Sequence, residues 1–300
     1  MVGDPARLRE LEIFAAVVAE ESFSAAARAS GLTPSAVSKA VARLERRLGV
    51  RLVARTTRGL TLTAEGRDFH LRAVSILCAL EEAEREATTG GRPIGTVTIA
   101  TSASYGHHTL YPALRPLLAE HPDLHVVVLQ NDAVVALLDA EADIAVRAGE
   151  MPPSAMLVRS LGHGPRLVVG SPAYLAARGV PRTPDDLADH DLIDFTYQRH
   201  KPTWPYRPES GPPGVRIRAS DGEGVRHMAL AGLGLARLTE FVVRADLAAG
   251  RLVSVLDDAG PPETEPFHAV WLKSGGPLPA RIRLVLDHLA AHGRIDPPSH

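Results

Sequence analysis

The sequence predicts an α + α/β protein: an N-terminal winged helix-turn-helix, a long linker helix and a C-terminal domain of alternating strands and helices. Three observations predict it. Capping and turn residues set out two short helices between Ser22 and Gly49. An unbroken apolar seam with heptad spacing begins at Phe69. From Thr96 onward, β-prone runs alternate with helical ones, which points to largely parallel sheets. The chain of 300 residues suffices for about two domains, and its hydrophobic fraction of 45% permits ordinary cores.

Leu8, Leu11, Phe14, Ala15 and Val18 recur with a helical period, giving a first helix over 7–20 that supports the pair behind it. Ser24 is the expected N-cap of the next helix, with Phe23 as its hydrophobic staple, and the helix runs to about Ala29. Gly31 supplies the positive φ needed where that helix stops. Thr33 caps a further helix, and Pro34 sits in its first turn, where a missing N–H costs nothing. Ala27 is small where two helices must cross, and Leu32, Val37 and Leu44 fill the tri-helical core. The opposite face shows Ser35, Ser38, Lys39 and Arg43, a surface that can enter a DNA major groove by its N-terminal end.

Charge agrees. Residues 28–67 hold nine Lys or Arg against two acids, a local charge of +7 on a chain whose total is −2. A basic patch on an otherwise acidic protein is the footprint of a phosphate-binding surface. Gly49 then ends the helix, and residues 51–53 and 60–62 read as a two-stranded wing. The wing tip, Arg55–Thr56–Thr57–Arg58, can follow phosphates, enter a minor groove, or stand solvated.

Thr63 caps a long helix to about Ala87, with a seam of Phe69, Ala73, Ile76, Leu80, Ala83 and Ala87 in alternating steps of four and three. This reads as a dimerisation helix. Val74 and Leu77 widen the seam, so packing within the same subunit stays open. Cys78 is the single cysteine, off the seam. A structural thiol is the expectation, and the lack of a second Cys excludes an intrachain disulfide and fits a reducing cytoplasm. No transmembrane run and no signal peptide are read, so the expected location is cytoplasmic, with no membrane partner.

Residues 8–66 resemble the winged helix-turn-helix of LysR-type transcriptional regulators. The residues that carry the likeness are Phe14, Val17, the SFSAAA run, Ser35–Ala36–Val37–Ser38, Leu44–Glu45, Leu48–Gly49, Leu52, Arg55, Thr56, Arg58 and Leu62–Thr63–Ala64–Glu65–Gly66. Val53 departs from the family's usual Phe, which touches local packing rather than DNA binding. Further strings resemble one large subgroup of the family: residues 143–147 followed by Gly149, residues 170–175, and residues 184–187 followed by His190. The resemblance implies a two-lobed, periplasmic-binding-protein-like regulatory domain that binds a small-molecule co-inducer. It implies a homodimer or tetramer on an inverted repeat in double-stranded DNA, with RNA polymerase as a candidate partner. The DNA-binding candidates are then Ser24, Thr33, Ser35, Ala36, Ser38, Lys39, Arg43, Arg55, Thr56, Thr57 and Arg58.

The expected division is 6–64 for the DNA-binding domain, 65–89 for the linker helix and 93–300 for the regulatory domain. Its first lobe takes about 96–160 and 267–300 and its second about 161–266, with crossings near 158–163 and 263–267. Residues 88–95 form the hinge. Expected strands are 96–101, 125–130, 143–146, 166–170, 191–196, 215–219, 235–238, 252–256 and 267–271, with helices at 107–120, 134–138, 172–178, 184–188, 222–231, 240–249 and 279–292.

Ligands in such sheets sit at strand carboxyl ends, near helix N-termini. That rule selects Ser102, Ser104, Tyr105, Asn131, Asp132, Arg147, Thr196, Tyr197, Asp221 and Gly222. The two serines either donate to a ligand or simply cap the helix. Arg147 either favours an anionic inducer or pairs with Asp132 or Asp221. Trp204 and Tyr206 read as wall or core.

No catalytic, metal or cofactor constellation stands out: HExxH, paired Cys, GxxxxGK[ST] and GxSxG are all missing. His107–His108 is the only adjacent histidine pair, and helical neighbours point to different faces. A ligand-responsive regulator is therefore the leading reading. The alternatives are a DNA-binding architectural or repressor protein with a ligand-independent C-terminal domain, and an enzyme acting on a small acid.

Overall fold

The computed structural model describes residues 5–56, 59–89, 92–132, 142–151, 156–197, 203–204, 214–258, 263–272 and 278–295. Contacts divide the chain near residue 92 into two units, each described by itself.

The first unit contains α1 (Pro5–Ala19), α2 (Phe23–Ala29), α3 (Pro34–Leu48), the antiparallel hairpin of β1 (Val53–Thr56) and β2 (Gly59–Leu62), and α4 (Ala64–Thr89). Its core is Ile13, Phe14 and Val17 of α1, Ala26 and Ala27 of α2, and Val37, Ala40, Val41 and Leu44 of α3. Phe14 alone of the five apolar positions expected to bury α1 is fully buried; the other four are half-buried. The run from Ile13 to Ala19 is apolar on every face, so periodicity leaves the helix's phase open. A charged residue, Glu10, completes the buried face instead.

The N-cap of α2 is Ser22, not Ser24. Ser22 has the extended backbone a cap requires (φ −154°, ψ 126°), and its Oγ accepts the Ala25 N–H at 3.3 Å. Phe23 is thereby the first helical residue, and Ser24 is exposed in the first turn. In α3, Thr33 Oγ1 accepts the Ala36 N–H at 3.3 Å, and Gly49 closes the helix in the left-handed region at φ 74°. Thr63 caps α4 through the Gly66 N–H at 2.9 Å, and the helix continues to Thr89, beyond the expected end at Ala87.

In the second unit, β3 (Gly95–Thr101) lies parallel between β4 (Leu124–Gln130) and β5 (Ile144–Ala148). The helical run after β3 comprises α5 (Ala103–Tyr105), a π-helical turn (Gly106–Leu110) and α6 (Tyr111–Glu120), so it starts earlier than the expected 107. The strand expected at 166–170 is the end of a longer one, β6 (Met156–Gly170). The chain then adds α7 (Pro172–Arg178), a 3-10 turn (Pro184–Asp189), and β7 (Leu192–Phe195) parallel to β8 (Val215–Ala219). It continues with α8 (Gly222–Leu230), β9 (Ala236–Thr239), α9 (Glu240–Ala248) and β10 (Val253–Val255). The chain returns through β11 (Thr264–Leu272) and α10 (Ala280–His292).

The expectation of largely parallel sheets is corrected. β11 runs antiparallel to both β5 and β6, and β6 runs antiparallel to β9 and β10. The crossings expected near 158–163 and 263–267 are themselves strand: β6 and β11 pair from Met156↔Leu272 to Pro165↔Thr264, with one irregularity between Pro266 and His268. Two chain passages in opposite directions satisfy each other's backbone groups, which loops could not do there. The helix expected at 134–138 and Tyr206 lie outside the described residues.

Candidate functional site

On α3, the faces separate as the spacing requires. Val37, Ala40, Val41 and Leu44 are buried, while Ser35, Lys39, Arg43, Arg46 and Arg47 are exposed and Ala36 and Ser38 are half-buried. Thr33 Oγ1 and Ser35 Oγ lie 3.1 Å apart, so the two hydroxyls at the helix start are coupled. Arg43 is not a bare cation. Its Nε donates to Glu10 Oε1 at 3.2 Å, and Arg47 Nη2 donates to Glu10 Oε2 at 3.1 Å. Glu45 turns the other way: its Oε1 accepts the backbone N–H groups of Leu52 and Val53 at 2.8 and 3.1 Å. It thus ties the end of α3 to the start of the wing. Neither glutamate's role was read from the sequence; an acid inside a basic helix was the available signal at Glu45, and Glu10 looked like ordinary helix surface. The side chains of Arg55 and Thr56, and all of Thr57 and Arg58, lie outside the described residues.

The seam on α4 divides. Phe69 packs its ring 5.6 Å from Phe14, and Ala73 is buried in the N-terminal core. These two are spent within the subunit, because α1 lies against the start of α4. Ile76 is 52% exposed, Leu80 is 38% exposed and Ala83 is exposed in the single chain. The side chains of Ala87 and Cys78 lie outside the described residues.

In the second unit, the structure brings together five of the ligand candidates. Ser102 caps the helical run, its Oγ accepting the Tyr105 N–H at 3.3 Å. Asp221 caps α8, its Oδ1 accepting the Gly224 N–H at 2.7 Å. Between these helix starts lies Asp132, which accepts the Ala103 N–H on Oδ1 at 2.8 Å and the Gly222 N–H on Oδ2 at 3.0 Å. Gly222 packs against Ser104 so closely that a Cβ there would collide with Ser104 Oγ. A larger residue at 222 would oblige the Ser104 hydroxyl to turn away.

Tyr105 does not line this site. It is fully buried, its hydroxyl donates to the Gly293 carbonyl at 2.6 Å, and its ring stacks on Phe267 at 6.2 Å. Burial pushes its phenol well above the ordinary value. The carboxylates of Asp132 and Asp221, the two acids weighed as partners of Arg147, both accept backbone N–H groups at helix starts. Arg147 is half-buried on β5 opposite His268 of β11, and burial lowers its guanidinium from the ordinary value. Asn131 is exposed, and its N–H donates to the Thr101 carbonyl at 3.0 Å. Thr196 is exposed, with its N–H on the Ala219 carbonyl at 2.9 Å; Tyr197 is half-buried with its ring 5.3 Å from Phe195. Trp204 is core: its Nε1 donates to the Ile193 carbonyl at 3.1 Å.

The histidine pair, expected to point to different faces, converges on one group. His108 Nε2 lies 2.8 Å from Glu223 Oε1 and His107 Nδ1 lies 4.0 Å from Glu223 Oε2, so both reach one carboxylate on α8. The π-helical turn and the two oxygens of one acceptor make this geometry available to neighbours in sequence. Glu223 also accepts from Arg226 Nη1 at 3.2 Å, and Arg226 Nε donates to the buried Asp246 at 2.6 Å. Burial pulls Glu223 upward, but His108, Arg226 and His107 outweigh it and hold the carboxyl below its ordinary value. Among the described residues no helix is long and apolar enough to cross a membrane.

Comparison with known proteins bears on both units. Residues 8–67 match the family model of the bacterial regulatory helix-turn-helix protein, lysR family, and residues 90–294 match the LysR substrate binding domain. The HTH-type transcriptional regulator CrgA of Neisseria meningitidis serogroup C (strain 8013) is 35% identical over 284 residues, which cover 93% of this chain and 95% of that one. A solved structure of CrgA, a LysR-type transcriptional regulator from Neisseria meningitidis, aligns with a TM-score of 0.62 at 34% identity, covering 95% of this chain and 98% of that one. ArgP from Mycobacterium tuberculosis aligns with a TM-score of 0.75 over 98% of each chain at 24% identity, a likeness of fold alone.

Proposed function

The chain belongs to the family of LysR-type transcriptional regulators, and on that premise we propose how its parts divide the work. Residues 6–64 bind DNA, residues 65–89 pair two subunits, and residues 93–300 respond to a small molecule held between a lobe of about 96–160 with 267–300 and a lobe of about 161–266. The chain acts in the cytoplasm, without catalysis of its own, as a dimer or tetramer on an inverted repeat in duplex DNA, with RNA polymerase as a candidate partner. The observation that carries the DNA-binding part is the exposed face of α3, with Ser35 and Lys39 in its first two turns above a fully buried opposite face. A helix so presented reads base edges from its N-terminal end, while flanking cations hold phosphates.

Footprinting on the chain's own promoter region tests this. Two protected half-sites about one helical turn or a multiple apart are expected. Affinity falls steeply with salt. A bulky replacement of Ser38 changes sequence preference, whereas Arg55→Ala weakens binding to all sequences and flattens the salt dependence. Equal affinity for random and promoter duplexes would overturn the reading. The engagement of Asp132 across the cleft gives weight to a second reading, in which the C-terminal domain works without a ligand.

A further inference from the structure

The cleft holds a carboxylate of its own. Ala103 opens the helical run to Glu120 and Gly222 opens α8, and the first amide of each donates to a different oxygen of Asp132, at 2.8 and 3.0 Å. Helix starts carry unsatisfied N–H groups and the positive end of the helix dipole. Two of them, one from each lobe, converge here on one negative group. A free small carboxylate would make the same two bonds.

The surroundings also have the character of a ligand position. The Oγ of Ser104 and the Oγ1 of Thr101 belong to residues only 7% and 3% exposed, and neither has a hydrogen-bonding partner among the described residues. Ser104 Oγ presses on Gly222, beside the Asp132 carboxylate. The bond between His108 and Glu223 at 2.8 Å fastens the same two helical segments a turn further on.

We propose that Asp132 is this chain's internal ligand for the anion position between the lobes: it holds the two helix starts together and denies that position to free carboxylates. The proposal rests on reading residues 93–300 as an effector-binding domain and deepens it by fixing what already fills one position of the cleft.

The test uses the full-length chain and acetate as the probe. Asp132→Gly removes the internal carboxylate and leaves room for a free one. Thermal unfolding is followed against sodium acetate, with sodium chloride at matched ionic strength and acetamide as controls. The variant is expected to melt below the parent and to regain about 2–4 °C with acetate but not with either control. The parent is expected to respond to acetate no more than to chloride. An equal acetate response in parent and variant, or none beyond chloride in the variant, overturns the proposal. If Asp132→Gly does not fold, Asp132→Ser, which leaves similar room, is titrated in its place with the same outcomes. Acetate rescue of the variant in a chain whose promoter binding responds to no added metabolite supports the internal ligand and counts against the effector-binding reading alone.

Discussion

Glu10 of α1 and Arg47 of α3 meet at 3.1 Å, with the carboxylate side chain only 8% exposed. Arg43 reaches the other oxygen of the same carboxylate at 3.2 Å. One nearly buried acid therefore engages two cations on the helix proposed to enter DNA, beside the apolar core that packs α1 behind that helix. Removing it would leave both guanidiniums free to move toward phosphate. Glu10→Gln keeps the shape and removes the charge. Affinity for random duplex DNA is expected to rise. Its logarithmic salt slope should steepen by up to ~1.8, the value for two added phosphate contacts. Fluorescence anisotropy across a salt series measures both. An unchanged slope would mean that both arginines already reach phosphate with Glu10 in place.

Glu45 supports the wing. Its Oε1 takes the N–H groups of Leu52 and Val53, both residues being buried. Glu45→Ala strands two buried donors, and hydrogen bonds to a charged group contribute about 1.5–3 kcal/mol in such settings. Denaturant unfolding of the full chain should show a transition lowered by that order. DNA affinity should fall with it, since the wing is no longer fixed to α3. A variant as stable as the parent would show that water replaces the carboxylate without loss.

Local chemistry was legible in the sequence wherever one residue acts on its near neighbours. Thr33, Pro34 and Gly49 define α3 as their capping roles require, and Thr63 caps α4. Legibility failed narrowly at Ser22, because two serines flank Phe23 and backbone geometry chooses between them. The buried face of α1 was not legible, since its decisive residue, Glu10, finds its partners 33 and 37 positions away. The cleft obeys the same rule. Strand ends and helix starts marked Asp132 and Gly222 as neighbours of a site, but their bond spans 90 residues, and nothing local says that one satisfies the other. Likewise β6 and β11 look like short strands with loops until they pair with each other.

Glu223 joins α8 to the helical run after β3, and its charge is expected to make that contact dependent on pH. Its carboxyl is held below the ordinary value of 4.5 because His108, Arg226 and His107 outweigh the upward pull of burial. Asp246 beneath it shows the same pattern, with Arg226 and Arg251 outweighing burial. A depressed carboxyl contributes stability that is fully present above its ordinary value and is lost as pH falls through its folded value. Glu223→Gln should therefore melt below the parent at neutral pH. The gap should close as the pH is lowered from 4.5 toward strongly acid solution. Differential scanning fluorimetry over that range checks it, and a gap independent of pH would mean that shape rather than charge carries the contact.

The last expectation concerns α4. Phe69 and Ala73 are consumed inside the subunit, so any seam between subunits must use the positions C-terminal to them: Ile76, Leu80 and Ala83, all exposed in the single chain. Large apolar side chains left exposed in line on one helix face ask for a partner helix. Leu80→Glu places a charge in that contact, where burial without a counter-charge costs several kcal/mol. The substituted chain should sediment as a smaller species and lose most of its promoter affinity, because one half-site contact is far weaker than two coupled ones. Folding should survive, since Leu80 lies outside the buried core of its own subunit. A Leu80→Glu chain that keeps the parent's sedimentation and binds the promoter normally would place the subunit contact elsewhere and leave this stretch of α4 as a spacer.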